Sequence, residues 1–302
     1  MPVCLGLNNA GQMVTYDAKP DSGIMLCGQT RSGKSWFTMY YLLNFMILQS
    51  PMEHQFILID PKATGLFDTM SLMPHIMGLH CPSQDDPEAP RQILALLEEL
   101  IYTEGERRKA LFKEKGYENY WDFIAGEGAD SLPLITLVMD EYFSIMGMFK
   151  ETKNTLGEDL TPQFKLYINN LLTKLPAYGL RILIIPHRVP GLVDPLTRDM
   201  MKFKATFRSA EDLSEPNLGQ SKVGIPLPNA GDMAWTSEMQ TKPMYTHTLC
   251  VGKDDNTMKD TLVLIAKAYY KLGVDIPDMS YMPRCFTRDD EKIVEKIKSF
   301  GK

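Results

Sequence analysis

Apolar residues fall along this chain in two alternating rhythms. Short apolar runs at Ile24–Cys27, Phe56–Asp60, Leu134–Met139, Arg181–Ile185 and Lys204–Phe207 read as strands. Between them lie stretches with apolar side chains at helical spacing, from about Lys34 to Leu48 and from Pro162 to Leu175. A long helix is predicted from Pro90 to Lys115, where Ile93, Leu94, Leu97, Leu100 and Ile101 share one face and Arg107-Arg108-Lys109 lies toward the C-terminal end. The remainder reads as mixed short strands with helices near Asp260–Lys271 and Asp289–Phe300. Segments 79–91 and 150–161 are polar and carry Pro or Gly, so they are predicted as surface loops. Strands alternating with helices predict an α/β fold with a mostly parallel central sheet flanked by helices.

Composition narrows the class. With 302 residues and 44% hydrophobic content, the chain can bury a substantial core, which excludes a disordered protein. Lys+Arg 32 against Asp+Glu 38 gives a net charge of -6, which argues against a monomer wrapping nucleic acid with its whole surface. A basic patch or pore stays open, because net charge averages over every face. The five cysteines are scattered without a C-x-x-C pair, which fits a reducing cytosol. The apolar run Met39–Leu48 is too short to cross a bilayer, and the first residues lack the charged and apolar regions of a signal peptide. A cytoplasmic chain is therefore expected, although a longer parent could be membrane-anchored.

The strongest chemical signal is Gly28-Gln29-Thr30-Arg31-Ser32-Gly33-Lys34-Ser35, a full match to the G-x-x-x-x-G-K-[ST] phosphate loop, placed after a strand and before a helix. In such a loop the glycines let backbone N–H groups close around phosphate oxygens and the helix N-terminus adds positive potential. Lys34 reaches the β- and γ-phosphates, and Ser35 can ligate Mg²⁺. The second signal is the run Leu134–Met139 closing on Asp140 and Glu141. Successive strand residues face opposite ways, so Asp140 can hold the metal-bound water while Glu141 faces the attacking water as general base. At the end of the fourth strand, Pro186-His187-Arg188 offers His187 to orient water or sense the γ-phosphate, against a simple strand-end histidine. Asp60 and Lys62 close the second strand and read as structural caps.

Read in order, Gly28–Ser35, Ile59-Asp60-Pro61-Lys62, Met73-Pro74-His75-Ile76, Glu106-Arg107-Arg108, Val138-Met139-Asp140-Glu141 and Tyr178-Gly179-Leu180-Arg181-Ile182-Leu183 resemble the FtsK/SpoIIIE branch of the FtsK–HerA motor ATPases. Phe207-Arg208-Ser209, Gly231-Asp232-Met233 and Phe286-Thr287-Arg288-Asp289-Asp290 look like later blocks of that branch, so the similarity spans nearly the whole chain. The resemblance implies a RecA-like P-loop NTPase core that assembles as a hexameric ring, with ATP and Mg²⁺ at subunit interfaces and double-stranded DNA in the pore. It also implies one motor domain over 1–302: a lead-in over 1–22, the core over 23–250 and a completion over 251–302. Relatives move chromosomes, act as coupling proteins in conjugation or drive type VII protein secretion. The expected function is thus an ATP-hydrolysing DNA translocase of the conjugative coupling type, with segregation or a secreted polypeptide as alternatives.

Departures from the family pattern are informative. Where the family usually carries Thr-Gln-Arg, this chain has Pro186-His187-Arg188, and Lys204 stands where chromosome translocases usually carry an arginine. Arg208 is the candidate trans-acting arginine, with Arg198 and Arg188 as alternatives, because a guanidinium can bridge charge developing on the γ-phosphate. The chain shows no membrane span or winged-helix tail and begins almost at the motor, so it reads as a minimal motor or the soluble part of a longer protein in a membrane-anchored transfer or secretion apparatus. Its 20 methionines are expected to fill the core. The Arg107-Arg108-Lys109 cluster, alternating with Glu104, Glu106 and Glu114, is expected as a solvated face.

Overall fold

The computed structural model describes residues 1–63, 65–186, 193–209, 217–219 and 222–300. Its strands are β1 (Pro2–Leu7), β2 (Met13–Asp17), β3 (Gly23–Cys27), β4 (His54–Ile59), β5 (Ile76–His80), β6 (Leu134–Met139), β7 (Leu180–Ile184), β8 (Phe203–Phe207), β9 (Asp232–Thr236) and β10 (Met244–His247). They form one sheet in the order β2-β1-β10-β9-β8-β3-β7-β6-β4-β5. The strands from β8 to β5 in that order are all parallel, and β9, β10, β1 and β2 extend the sheet antiparallel. Strand β7 lies between β3, which feeds the phosphate loop, and β6, which carries the paired carboxylates. This is the RecA-like P-loop arrangement that the family resemblance implied.

The helices are α1 (Lys34–Leu48), α2 (Gly65–Met70), α3 (Ala89–Glu98), α4 (Glu106–Lys115), α5 (Tyr120–Glu127), α6 (Tyr142–Leu156), α7 (Thr161–Thr173), α8 (Pro195–Met200), α9 (Asp255–Leu272) and α10 (Asp290–Ser299). The parallel strands are unbroken apolar runs because helices cover both of their faces. Met25, Ile57, Leu137 and Ile182 turn to one face and pack with Ile93 and Leu97 of α3, Phe149 of α6 and Phe164 of α7. Their strand neighbours Leu26, Leu58, Val138 and Leu183 turn to the other and pack with Phe37 and Phe45 of α1 and Leu262 of α9. Met139, Met146, Met148 and Met201 are buried, as core fillers.

Five expectations change. Residues 150–161 are not a loop throughout, since α6 continues to Leu156 before Gly157 ends it with φ 70°. Its second half is polar because those turns face water, while Thr152 on the inner face is buried and bonds back to the Met148 carbonyl. Residues 79–91 lose both ends of their predicted loop, to β5 through His80 and to α3 from Ala89. The predicted 90–115 helix contains a π-helical stretch, Glu99–Gly105, between α3 and α4. Of the basic cluster at its end, Arg107 and Lys109 are exposed as expected, but Arg108 is not. Arg108 is fully buried and pairs with the equally buried Glu104, donating also to the carbonyls of Tyr178, Gly179 and Pro133. Residues 1–22, expected as a lead-in, supply β1 and β2 to the common sheet.

Candidate active site

The phosphate loop connects β3 to α1 through backbone conformations that few residues adopt. Gly28 has φ 151°, Arg31 φ 61° and Gly33 φ 99°, so the chain folds over itself before α1 begins. A Cβ on Gly33 would sit 2.5 Å from the Gly231 nitrogen, which explains why only glycine fits there. The loop is braced by the ends of β8 and β9: Gln29 N donates to the Arg208 carbonyl at 3.2 Å, and Gly231 N donates to the Ser32 carbonyl at 2.9 Å. Ser32 Oγ is buried and makes no hydrogen bond among the described residues.

Lys34, at the first turn of α1, is buried beneath this loop. Its Nζ donates to the Gly28 carbonyl at 2.6 Å and to the Gln29 carbonyl at 3.2 Å. Burial lowers its pKa, against the pull of the Glu141 and Asp140 carboxylates. At the end of β6, Glu141 takes a left-handed conformation with φ 49° and heads α6, and its N–H donates to Asp140 Oδ1 at 2.8 Å. Asp140 is 7% exposed. Burial raises its pKa to about 6, and the negative charges of Glu141 and Asp60 add to that against the Glu141 N–H and Lys34.

That shift carries a stability prediction. A carboxyl whose folded pKa of about 6 exceeds its ordinary 3.8 holds its proton more tightly when folded. Its contribution to stability is present below pH 3.8 and is lost as pH rises through about 6. Asp140→Asn is therefore expected to stabilise the chain at pH 8 by up to about 3 kcal/mol and to do little near pH 4. Thermal melts at the two pH values, run without nucleotide, check this. Equal shifts at both would show that the charge is not the cause.

Neighbouring strand ends complete the site. Strands β4 and β6 pair in parallel with Ile59 opposite Met139, so Asp60 and Asp140 follow side by side. Asp60 is buried and accepts from the Lys62 N–H at 3.0 Å, the capping role expected for it. Lys62 does more than cap: its Nζ forms an ion pair with Glu141 Oε1. Lys34, Ser35, Lys62 and Glu141 share a cleft of about 370 Å³ with Asp255 and Lys259 from the first turns of α9. Sequence reasoning missed Asp255 and Lys259, since nothing local in α9 marks them as neighbours of a loop more than two hundred residues away.

The structure thus brings Gly28–Ser35, Asp140 and Glu141 to one end of the sheet. His187 and Arg188 lie outside the described residues. The Arg208 carbonyl belongs to the brace of the phosphate loop, and its Nη1 donates to the Pro228 carbonyl at 3.4 Å. Arg198, on α8, pairs with Asp199. Among the described residues no three acidic, histidine or cysteine side chains gather as a metal cluster. No helix among the described residues is long and apolar enough to cross a membrane.

Known proteins share this organisation. The DNA translocase FtsK of Campylobacter jejuni is 27% identical over 201 residues, 64% of this chain and 19% of that protein. The chain therefore spans about a fifth of that relative's length. Of solved structures, EssC (ATPases 2 and 3) from Geobacillus thermodenitrificans matches with a TM-score of 0.73 at 17% identity, over 95% of this chain and 54% of that one. The pCW3 conjugation coupling protein TcpA, solved with ATPγS, matches with a TM-score of 0.64 at 15% identity, over 90% and 70% of the two chains. These structural likenesses are likenesses of fold. Residues 1–189 match the FtsK/SpoIIIE family, a stretch that runs from β1 through the phosphate loop and the paired carboxylates to the end of β7. The chain therefore belongs to the FtsK/SpoIIIE family and carries that family's P-loop ATPase core.

Proposed function

We propose that this chain is an ATP-driven motor that moves double-stranded DNA, as a coupling-type ATPase in conjugative transfer. The observation that carries this is the convergence of Lys34, Asp140 and Glu141 at one end of the sheet, under a loop shaped to hold phosphate. Backbone N–H groups of Gly28–Ser35 cradle the triphosphate, and the buried Ser32 hydroxyl, without a hydrogen bond among the described residues, is available to a phosphate oxygen. Lys34 gives up the Gly28 and Gln29 carbonyls for the β- and γ-phosphates. Ser35 and Asp140 would hold Mg²⁺, which would supply positive charge against the phosphates. Their hydroxyl and carboxylate oxygens are the hard donors that this ion takes.

Glu141 accepts one proton from water as the water oxygen bonds to the γ-phosphorus and the bond to the bridging oxygen breaks, leaving ADP and phosphate. Arg208 of one subunit completes the site of the next in a homo-hexamer, and hydrolysis moves pore-facing loops along DNA one subunit at a time. His187 orients the attacking water. DNA as the polymer draws support from the DNA translocase FtsK likeness, and conjugation from the TcpA likeness and the altered Pro186-His187-Arg188 segment. The motor works on the cytoplasmic side, where ATP is held, attached to a membrane-anchored apparatus.

ATPase rate measured with and without double-stranded DNA, across protein concentration, tests the proposal. A rise with both is expected, because the sites are completed between subunits. The DNA effect should fall steeply as salt is raised. A rate indifferent to DNA would transfer the reading to a secreted polypeptide, which the net charge of -6 favours. A Lys34→Ala variant that kept its turnover would overturn the assigned chemistry altogether.

A further inference from the structure

Glu141 is the carboxylate that must take a proton from water, yet its Oε1 accepts a hydrogen bond from Lys62 Nζ. The ion pair fixes where the carboxylate points and competes with water for it. Both partners are held in place by their backbones. The Lys62 N–H donates to Asp60 Oδ1, and Ala63, with φ 49°, closes a tight turn by donating its N–H to the Asp60 carbonyl. Glu141 has φ 49° itself and is tied to Asp140 Oδ1. Among the described residues, Arg31, Ala63, Glu141 and Lys222 are the non-glycine residues with left-handed backbone, and the first three lie at or beside this cleft. Parallel pairing of β4 and β6 then sets the two turns next to each other.

The two ends of the pair differ in freedom. The Glu141 side chain is 13% exposed and the Lys62 side chain 49%, so the carboxylate is enclosed while the ammonium sits on a solvated, flexible stem. Lys62 also lines the cleft that holds Lys34 and Ser35. A triphosphate entering that cleft brings several negative charges within its reach, against one on Glu141.

Resting on the reading of Glu141 as the base, we propose that Lys62 is a positioning residue that restrains Glu141 and hands it over when the ammonium turns to the γ-phosphate of ATP. With ATP bound, the ammonium is shared between the γ-phosphate and Glu141, so part of the restraint persists at saturation and limits turnover.

Lys62→Met keeps the stem and removes the charge. Its kcat for ATP without DNA is expected to rise about two- to fivefold, the rate equivalent of a partly exposed ion pair. Its KM should rise by a similar factor, because the triphosphate loses a cation. Lys62→Arg, which keeps a charge at similar reach, should return kcat toward the original value. Coincident melting curves for the three proteins would show that folding is not the cause, and Lys62→Gln serves in place of the Met variant if that one is unstable. A kcat that is unchanged or lower in the uncharged variant overturns the restraint, and an unchanged KM overturns the transfer to phosphate. Glu141→Gln run alongside separates the two readings. If it abolishes turnover while Lys62→Met does nothing, the base stands and the restraint falls; if it leaves turnover intact, the base reading itself has failed.

Discussion

Glu141→Gln is expected to slow ATP turnover by about 10²–10⁴-fold while ATP binding persists. The substitution is nearly isosteric, and its amide oxygen can still accept from Lys62, so the turn that heads α6 keeps its shape. The backbone N–H to Asp140 Oδ1 is untouched, and so is the phosphate loop with Lys34 beneath it. What is lost is a carboxylate able to take a proton as water attacks. A fluorescent-nucleotide titration paired with steady-state turnover checks the expected split between binding and chemistry. A variant that hydrolyses within tenfold of the original rate would move the base to another residue. Lys34→Ala should fail differently, because the cation that would meet the phosphates is removed, and binding should weaken together with turnover.

The largest effect on stability is expected far from the cleft. Arg108→Ala should cost about 3–5 kcal/mol, because it leaves Glu104 as a buried charge short of its closest partner. Both side chains are fully buried. Burial raises the Glu104 pKa, but Arg108, Arg107 and their hydrogen bonds together bring it below the ordinary value, so the carboxylate is charged and depends on them. Arg108 further donates to the Tyr178 and Pro133 carbonyls, joining α4 to the turns that lead into β7 and β6. Arg107→Ala should cost no more than about 1 kcal/mol, since that side chain is 40% exposed and Tyr281 also bonds to Glu104. Urea unfolding of the two variants checks the contrast. Similar costs for both would mean that burial of the pair does not govern stability here.

These two predictions differ in how much of their basis can be read along the chain. Gly28–Ser35 and Asp140-Glu141 are visible without coordinates, because each motif is a run of neighbours whose chemistry depends on local backbone shape at a strand end. The parallel strands are visible for a related reason. A strand covered on both faces has no polar side, so Leu134–Met139 cannot be mistaken for a surface segment. Helix α6 is not among the expected helices: its second half turns mostly polar side chains to water, and polarity read alone resembles a loop. Arg108 is the sharper case. It continues the stripe of Leu97, Leu100 and Glu104 at spacings of three and four, which points inward, while its charge points outward. The choice was made by carbonyls of Tyr178 and Pro133, seventy and twenty-five residues away, which no local pattern reports.

Lys62 shows the same division within the site. Its place after β4 follows from the run Phe56–Asp60, and a capping role for Asp60 follows from chemistry. That Lys62 meets Glu141 depends on β4 lying beside β6, and Asp255 and Lys259 enter only because α9 packs back over α1 and α2. Local chemistry therefore specifies the phosphate loop, the carboxylates and the strand-helix alternation, since each is built from residues close in the chain. Which charges are buried, which pairs form and which distant helix closes the cleft depend on strand order and packing, where desolvation and contacts between remote segments outweigh the preference of any single residue.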